Sequence, residues 1–434
     1  MQKIIINKLG PIDHAELDCT KWIVFIGAQS TGKSTVAKAI FFFRKVGESI
    51  LDLVRQRLRF LSDSDADNFS QVLAKLLQER FLDIFGSYLA VSKDTSAHFY
   101  YEKETHIKIS LSAEMAINVE FSENILQYLS KFDADVSSEK TTPDVFETDI
   151  LEKFRNSLFF ESQALQKLFV AKYTDVYLPA GRSMVAVLAD QLDYITFTMN
   201  DAQKSMMDFC TRCYVENVLA LRPRFKRGLD FDNWVQMKND EQILAMAKKM
   251  IYQILKAVYI YDSGNDYLIL PDGQRINLSR ASSGQQEVLW ITNLLFYHLF
   301  YGNKSAFIIE EPESNLYPET QKLLIDLIAL TANQGNNIII TTHSPYILGS
   351  INNLLYAGQF AKATAETKTA AANIIDKDFW VDISDLSAWH LKDGKITNCI
   401  DDEIGLIDNG LIDEISRVIN GQFDDLLYLK VGAE

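Results

Sequence analysis

The sequence predicts an α/β protein: a mixed sheet with a parallel core, an antiparallel sheet, and an inserted helical lobe. Three observations lead there. Trp22-Ile23-Val24-Phe25-Ile26 is an apolar run that stops at Gly27, and the pattern G-x-x-x-x-G-K-S then opens the helical stretch Val36-Ala37-Lys38-Ala39-Ile40. Residues 305–309 and 337–342 are apolar runs of the kind that forms parallel strands buried on both faces. Residues 97–101, 105–112 and 116–121 alternate apolar with polar, which fits antiparallel strands.

In chain order, residues 3–9 and 22–26 read as two strands joined through a turn at Gly10-Pro11. The helix after Gly32 runs on through Phe41-Phe42-Phe43 into a second helical stretch ending near Leu61, and residues 62–67 are a polar break with N-cap chemistry. A helix over 69–85 precedes the three alternating segments. A short helix follows them, then a polar loop at 133–142, a long helical pattern at 144–172 and a strand at 175–178 ending in Pro179-Ala180-Gly181-Arg182. Residues 184–261 keep a helical period, broken near Pro223 and Gly228, and form the inserted lobe. A hairpin pairs 266–270 with 274–278 around Pro271-Asp272-Gly273. The tail contains a polar alanine and threonine loop at 361–372, a strand at 388–391 and a helix at 412–419. The expected division is residues 1–183, 184–262 and 263–434.

Composition limits the functions available. The chain has 434 residues, 47% hydrophobic, enough for a large core, and a net charge of −15. Such a surface repels nucleic acid and anionic membrane, so contact with either needs a local basic patch. The apolar run at the N-terminus is too short for a signal peptide. The longest apolar stretch, 288–301, is interrupted by Thr292, Asn293 and His298, which suits a buried helix rather than a span of about 20 apolar residues. Cys19, Cys210, Cys213 and Cys399 are scattered as in a reducing compartment, and a cytoplasmic protein without membrane contact is expected.

Strand, glycine loop and helix together make a phosphate-binding turn. Glycines let backbone N–H groups converge on oxygen, and the helix points its positive end at the same place. Gly27, Gln29, Ser30, Thr31, Gly32, Lys33, Ser34 and Thr35 are the expected contacts. Lys33 is placed to reach the β- and γ-phosphates and the Ser34 hydroxyl to take a Mg²⁺ position, so a nucleoside triphosphate is the expected ligand.

Four later segments refine this. Ala281-Ser282-Ser283-Gly284-Gln285 opens the long apolar helix, either as a second anion site or as a simple N-cap. Ala306 to Ile309 runs into Glu310-Glu311-Pro312-Glu313, placing paired carboxylates at a strand end, where one can support a metal and the next polarise a water. Ser314-Asn315-Leu316-Tyr317-Pro318 follows at once. Asn337-Ile338-Ile339-Ile340-Thr341-Thr342-His343-Ser344 sets a histidine at the tip of a buried strand. In this order the segments resemble an ABC-type ATPase head, with a signature closer to the Rad50 and SMC style than to transporters. The carboxylate and histidine segments, Tyr177-Leu178-Pro179-Ala180-Gly181-Arg182, Trp389-His390-Leu391-Lys392-Asp393-Gly394-Lys395 and Asp402-Glu403-Ile404-Gly405-Leu406 are similar to the AAA_15/AAA_21 ATPases, which include OLD-type proteins and stand-alone ATPases of anti-phage systems, PARIS-type first and Septu-type second.

The resemblance implies ATP and Mg²⁺ as ligands. Lys33 and Ser34 would hold phosphate and metal, Glu310 would support the metal where relatives usually have aspartate, Glu311 would polarise the attacking water and His343 would sense the γ-phosphate. Ser282, Ser283, Gly284 and Gln285 would close the nucleotide of a second copy, so a head-to-head dimer or higher homo-oligomer is implied, with ATP holding the copies together. No clear glutamine stands for the usual metal-contacting loop, and Arg182 or Gln191 lies in the right region.

Cys210-Thr211-Arg212-Cys213 has zinc-hook spacing but lacks room for long coiled coil, so two core cysteines are expected. The basic clusters Arg222-Pro223-Arg224-Phe225-Lys226-Arg227 and Arg55-Gln56-Arg57-Leu58-Arg59 fit nucleic acid, an acidic partner or a solvated face. No nuclease constellation is visible. The expected function is an ATPase that senses or scaffolds in anti-phage defence, controlling a separate Toprim-like or HNH nuclease in response to a phage protein. The alternative is a RecF- or Rad50-like ATPase that clamps DNA in repair.

Overall fold

The computed structural model describes the chain except residues 60–67, 90–93, 113–115, 140–162, 171–172, 190, 192–206, 232–239, 409, 411–417, 419 and 427–434. The N-terminal part contains β1 (Lys3–Leu9), β2 (Ile12–Asp18), β3 (Trp22–Ile26), α1 (Lys33–Arg44), α2 (Val46–Arg59), α3 (Phe69–Leu89), β4 (Ser96–Glu102), β5 (Thr105–Leu111), β6 (Ile117–Phe121), α4 (Glu123–Glu139) and β7 (Thr174–Leu178). Next come α5 (Ser183–Val187), α6 (Phe209–Leu221), α7 (Glu241–Leu255), β8 (Val258–Asp262), β9 (Asn265–Ile269), β10 (Arg275–Asn277) and α8 (Ser283–Tyr301). The C-terminal part holds β11 (Ser305–Glu310), α9 (Pro318–Asn333), β12 (Asn337–Thr342), α10 (Pro345–Gln359), α11 (Ala365–Ile374), β13 (Leu386–Lys392), β14 (Lys395–Asn398), β15 (Ile400–Asp401) and β16 (Leu406–Ile407).

Among the described residues, eleven strands form one mixed sheet in the order β6-β5-β4-β1-β2-β14-β13-β3-β12-β11-β7. The run β13-β3-β12-β11-β7 is parallel throughout. The antiparallel strands join it as a wing, in which β1 lies between β2 and β4. Register decides where the chemistry falls. Ile26 aligns with Thr342, Thr341 with Glu310, and Ile309 with Leu178, so the parallel strands end together along one edge. Whatever follows each strand is therefore delivered to the same place, as the open α/β sheet rule requires.

Strand β3 is buried at all five positions, and its alternate side chains enter different cores. Val24 and Ile26 join the cluster under α7, α8 and α9, whereas Ile23 and Phe25 join the one under α1, α2 and α3. This double burial is why the strand reads as a continuous apolar run. Helix α8 is buried on nearly every side, and two of its three polar interruptions have partners: Thr292 Oγ1 donates to Leu289 O at 2.8 Å, and His298 Nδ1 lies 2.6 Å from Ser305 Oγ, whereas the buried Asn293 side-chain amide makes no hydrogen bond among the described residues. Helix α6 spans both cores, with Phe209 and Cys210 in one and Tyr214, Val215 and Val218 in the other. No helix among the described residues is long and apolar enough to cross a membrane.

Several sequence expectations need correction. Residues 12–18 form a strand, because pairing with β1 overrides an apolar pattern at 12, 15 and 17 that lacks strict alternation. Residues 133–139 belong to α4, whose 17 residues are not a short helix. Residues 258–261 are strand β8, which pairs with β9 and ends the helical segment early. The alanine-rich 365–374 stretch is helix α11, capped by the Thr364 side chain accepting from Thr367 N. The break at 62–67, most of 144–172 and most of the helix at 412–419 lie outside the described residues.

Candidate functional site

The glycine loop after β3 is shaped by contact with two other strands. Gly27 and Gly32 have φ of +153° and +100°, where side chains are strained. A Cβ on Gly27 would lie 2.5 Å from the Leu391 carbonyl of β13, and one on Gly32 would lie 2.3 Å from Ile12 Cδ1 of β2. Gly32 is the N-cap of α1 and supplies no capping side chain, so the first-turn N–H groups are left for a ligand. Lys33 is 5% exposed, and its Nζ donates to Gly27 O at 2.8 Å and Ala28 O at 2.7 Å. Burial lowers its pKa, opposed by the charges of Glu311, Glu313 and Glu310. A cleft of about 520 Å³ opens here, lined by Pro11, residues 29–35 and Glu311. Gln29, Ser30, Thr31, Ser34 and Thr35 thus share one cavity with Lys33.

The carboxylates sit one strand away from the histidine. Glu310 ends β11 and is 4% exposed; its Oε2 accepts from Ala180 N at 3.0 Å, and its Oε1 is buried without a well-aligned hydrogen bond. Glu311 has φ of +42°, an arrangement costing about 1–3 kcal/mol in a non-glycine residue. Its N–H is held by Thr341 O at 2.9 Å. His343 Nδ1 lies 3.7 Å from Glu311 Oε1 and 3.4 Å from Glu313 Oε1. Glu313 has no role assigned by the sequence motif, yet it organises this corner. It is buried, and Oε1 accepts from Thr342 Oγ1 at 2.7 Å and His343 N at 2.9 Å. Beyond it, Ser344 Oγ donates to Gln321 Oε1 at 2.7 Å, and Gln321 Nε2 donates to Leu316 O at 2.9 Å. The histidine turn and the 314–316 segment are thereby tied together. Only the fold brings Glu313 and Gln321 to this place.

The serine–glycine turn is elsewhere. Ser282 and Ser283 are exposed at the start of α8, and residues 282–285 are not among the described residues lining the Lys33 cleft. Ser282 Oγ accepts from Gln285 N at 3.3 Å, Gln285 Oε1 accepts from Ser282 N at 3.2 Å, and Gln285 Nε2 donates to Leu255 O at 2.8 Å. This is a complete capping box. Gly284 abuts the segment after the carboxylates, since a Cβ there would lie 2.7 Å from Asn315 O.

Arg182 and Gln191, the two residues in the region of the metal-contacting loop, differ sharply in exposure. Arg182 is 1% exposed and turns inward to backbone carbonyls, while Gln191 is exposed in the turn after α5. Cys210 is a core residue, and burial pushes Cys210 well up and Cys213 to about 11, the reverse of what a thiolate metal ligand needs. Arg222 is withdrawn from its basic cluster into a buried pair with Asp266, leaving Arg224, Lys226 and Arg227 exposed. Arg55 pairs with Asp52 at 3.0 Å.

Known proteins resemble the chain in part. An uncharacterized protein of Methanocaldococcus jannaschii, MJ1542, is 25% identical over 132 residues, which is 28% of this chain and 16% of that protein. The chain therefore aligns with less than a fifth of that relative's length. Solved structures with a related outline include an SmcHead bound to the C-winged helix domain of ScpA (11% identity, TM-score 0.42, 91% of this chain and 96% of that one). The SMC head domain from Thermotoga maritima matches at 10% identity and TM-score 0.35 over 91% of this chain and 97% of that one. At those scores the likeness carries no argument, and the sheet order and register above describe the fold by themselves. Over residues 192–348, which include the serine–glycine turn, the paired carboxylates and His343 but not the glycine loop, the chain matches the AAA ATPase domain family AAA_15.

Proposed function

We propose that this chain binds ATP with Mg²⁺ between the glycine loop of one copy and the serine–glycine turn of another, hydrolyses it, and thereby controls a separate effector nuclease in anti-phage defence. The observation that carries the two-copy part is the location of the turn: Ser282 and Ser283 are exposed, away from the cleft that Lys33 and Glu311 share. On this reading a single chain presents a half-site and, outside the lining of its own cleft, the lid for another copy.

The residues fit the ligands. Loop N–H groups and Lys33 suit the phosphates, and the buried Glu310 Oε1 together with the Ser34 hydroxyl suits a hard cation and its waters. Mg²⁺, when bound, supplies charge neutralisation on the phosphate oxygens. Glu311 is partly exposed, so its carboxylate can orient a water and accept its proton. His343, held by the Glu313 contact to its backbone, lies beside that carboxylate and can report the state of the γ-phosphate. Binding closes the pair of copies and hydrolysis lets them part, which is a two-state switch driven by ligand.

Replacing Glu311 by Gln is expected to lower turnover by about 100-fold or more and to leave an ATP-dependent dimer in size-exclusion chromatography. Turnover at the wild-type rate would remove Glu311 as the base. The DNA-clamping reading is weaker because Arg222 is withdrawn into the core and the net charge is −15. ATP-dependent retention of duplex DNA at physiological salt would restore it, whereas indifference to DNA with co-purification of a nuclease supports effector control.

A further inference from the structure

We infer that Arg182 and Glu287 form a buried latch through which the position of helix α8, and so of its exposed serine–glycine turn, sets the placement of Glu311. The inference rests on the ATPase reading above and adds to it a route by which the second copy acts on the first copy's own site.

The latch is built from two side chains and three elements. Arg182 follows β7 and is 1% exposed; Glu287 lies in the early turns of α8 and is 3% exposed. The Arg182 guanidinium donates from Nε to Glu287 O at 3.0 Å, and from Nη1 to Pro179 O at 2.7 Å and to Glu310 O at 2.5 Å. Its Nη2 donates to Glu311 O at 3.0 Å and lies 3.5 Å from Glu287 Oε2. Glu287 closes the loop, because its carboxylate accepts from Arg182 N at 3.1 Å and Ser183 N at 3.2 Å. The ends of β7 and β11 and the start of α8 are thus pinned to one another. A planar guanidinium makes such a pin stiff, since its donors keep fixed separations.

Glu311 is where that stiffness matters. At φ of +42° its backbone is strained, and three neighbours hold it: Thr341 on its N–H, and Arg182 and the Ser314 N–H, the latter at 3.1 Å, on its C=O. The Thr341 hold comes from β12, which is fixed in the sheet, and the Ser314 hold from the turn itself. The Arg182 hold comes from a side chain that also grips α8. Glu287 is in the same helix as Ser282 and Ser283, so a partner that presses on or rotates that turn displaces Glu287, Arg182 and the Glu311 carbonyl together. Arg182 and Glu287 act here as positioning residues, and neither lines the cleft among the described residues.

The test compares Arg182→Lys, Glu287→Gln and the double variant with wild type. Lysine keeps the charge but not the fork, and glutamine keeps the volume but loses one acceptor. Thermal midpoint, ATP affinity, ATP-dependent dimerisation and kcat are measured for each. The latch predicts kcat lowered about tenfold or more, ATP affinity within about twofold and dimerisation retained. It also predicts that the double variant loses about as much as the worse single one, because both changes break the same connection. Wild-type kcat in both single variants, losses that multiply, or kcat falling in step with affinity and thermal midpoint would each overturn it. If Arg182→Lys does not fold, the split between kcat and affinity in Glu287→Gln decides alone. A wild-type chain that binds ATP without hydrolysing it, or does not bind it, removes the parent reading and the latch with it. A wild type that turns over alongside unaffected variants removes the latch only.

Discussion

Two turns of this chain open a helix with small residues, and they treat their backbone N–H groups in opposite ways. At the start of α1 the N-cap is Gly32, with no side chain to close the helix, and Lys33 folds back onto the loop's own carbonyls. At the start of α8 the N-cap is Ser282, and a reciprocal box with Gln285 satisfies the turn from within. The first turn is held in shape by contacts from β2 and β13 and keeps its donors for a ligand. The second needs no ligand to be stable, and Gln285 anchors it further to Leu255. The lesson is that resemblance between two anion-type turns says little about readiness. One leaves its backbone donors open, whereas the other must exchange internal hydrogen bonds for external ones when something docks on it.

The largest effect expected from this difference is on nucleotide affinity. On the proposed function, Lys33→Ala should weaken ATP binding by about 100-fold or more, read by fluorescent-nucleotide titration, because the buried charge that the loop holds beside the cleft is lost. Ser282→Arg should leave the affinity of a single chain within about twofold while lowering turnover about 100-fold, because it blocks only the contact with another copy. If Ser282→Arg weakens binding as much as Lys33→Ala does, both turns serve one nucleotide in one chain and the contrast collapses.

Glycine replacements separate the turns next, by stability. Gly27→Ala places a Cβ 2.5 Å from the Leu391 carbonyl at a φ of +153°. Strain and the clash together should cost about 3 kcal/mol in denaturant unfolding. Gly284 has no positive φ, and alanine there gains helix propensity of about 1 kcal/mol, set against the Asn315 carbonyl 2.7 Å away. A loss of roughly 1 kcal/mol is the expected balance. Equal losses at the two positions would mean that the second turn is as rigidly packed as the first.

Much of this arrangement is legible in the sequence, and the reasons are local. Trp22 to Ile26, the run before Glu310 and the run before Thr342 are apolar throughout because each is buried on both faces, so their strand character needs no tertiary knowledge. The loop from Gly27 to Ser34 is legible because its glycines answer to backbone geometry. The strand at Ile12–Asp18 is not, since only pairing with β1 makes it one. The roles of Glu313 and Gln321, and the inward bonding of Arg182, are missed for a related reason. Each acts through partners about 20 or more residues away, Ser344, Thr342 and Glu287 among them, and a pattern of spacings carries no record of that. The sequence likewise gives no sign that the Arg182 guanidinium turns inward to three strand-end carbonyls and to Glu287.

The smallest effects concern the capping box itself, and they ask whether the second turn is really self-sufficient. Ser282→Ala should cost about 1 kcal/mol of stability without nucleotide, the usual loss for a removed N-cap. Gln285→Ala removes the acceptor for Ser282 N and the bond to Leu255 O, and should cost about as much. Because the two side chains satisfy each other's backbone, the double variant should fall short of the sum by about 0.5 kcal/mol or more, measured by chemical denaturation at constant slope. Strict additivity would mean that the two halves of the box do not depend on each other. The turn would then be held mainly through Leu255, Ser282 would already be free to face a ligand, and the difference in readiness between the two turns would disappear.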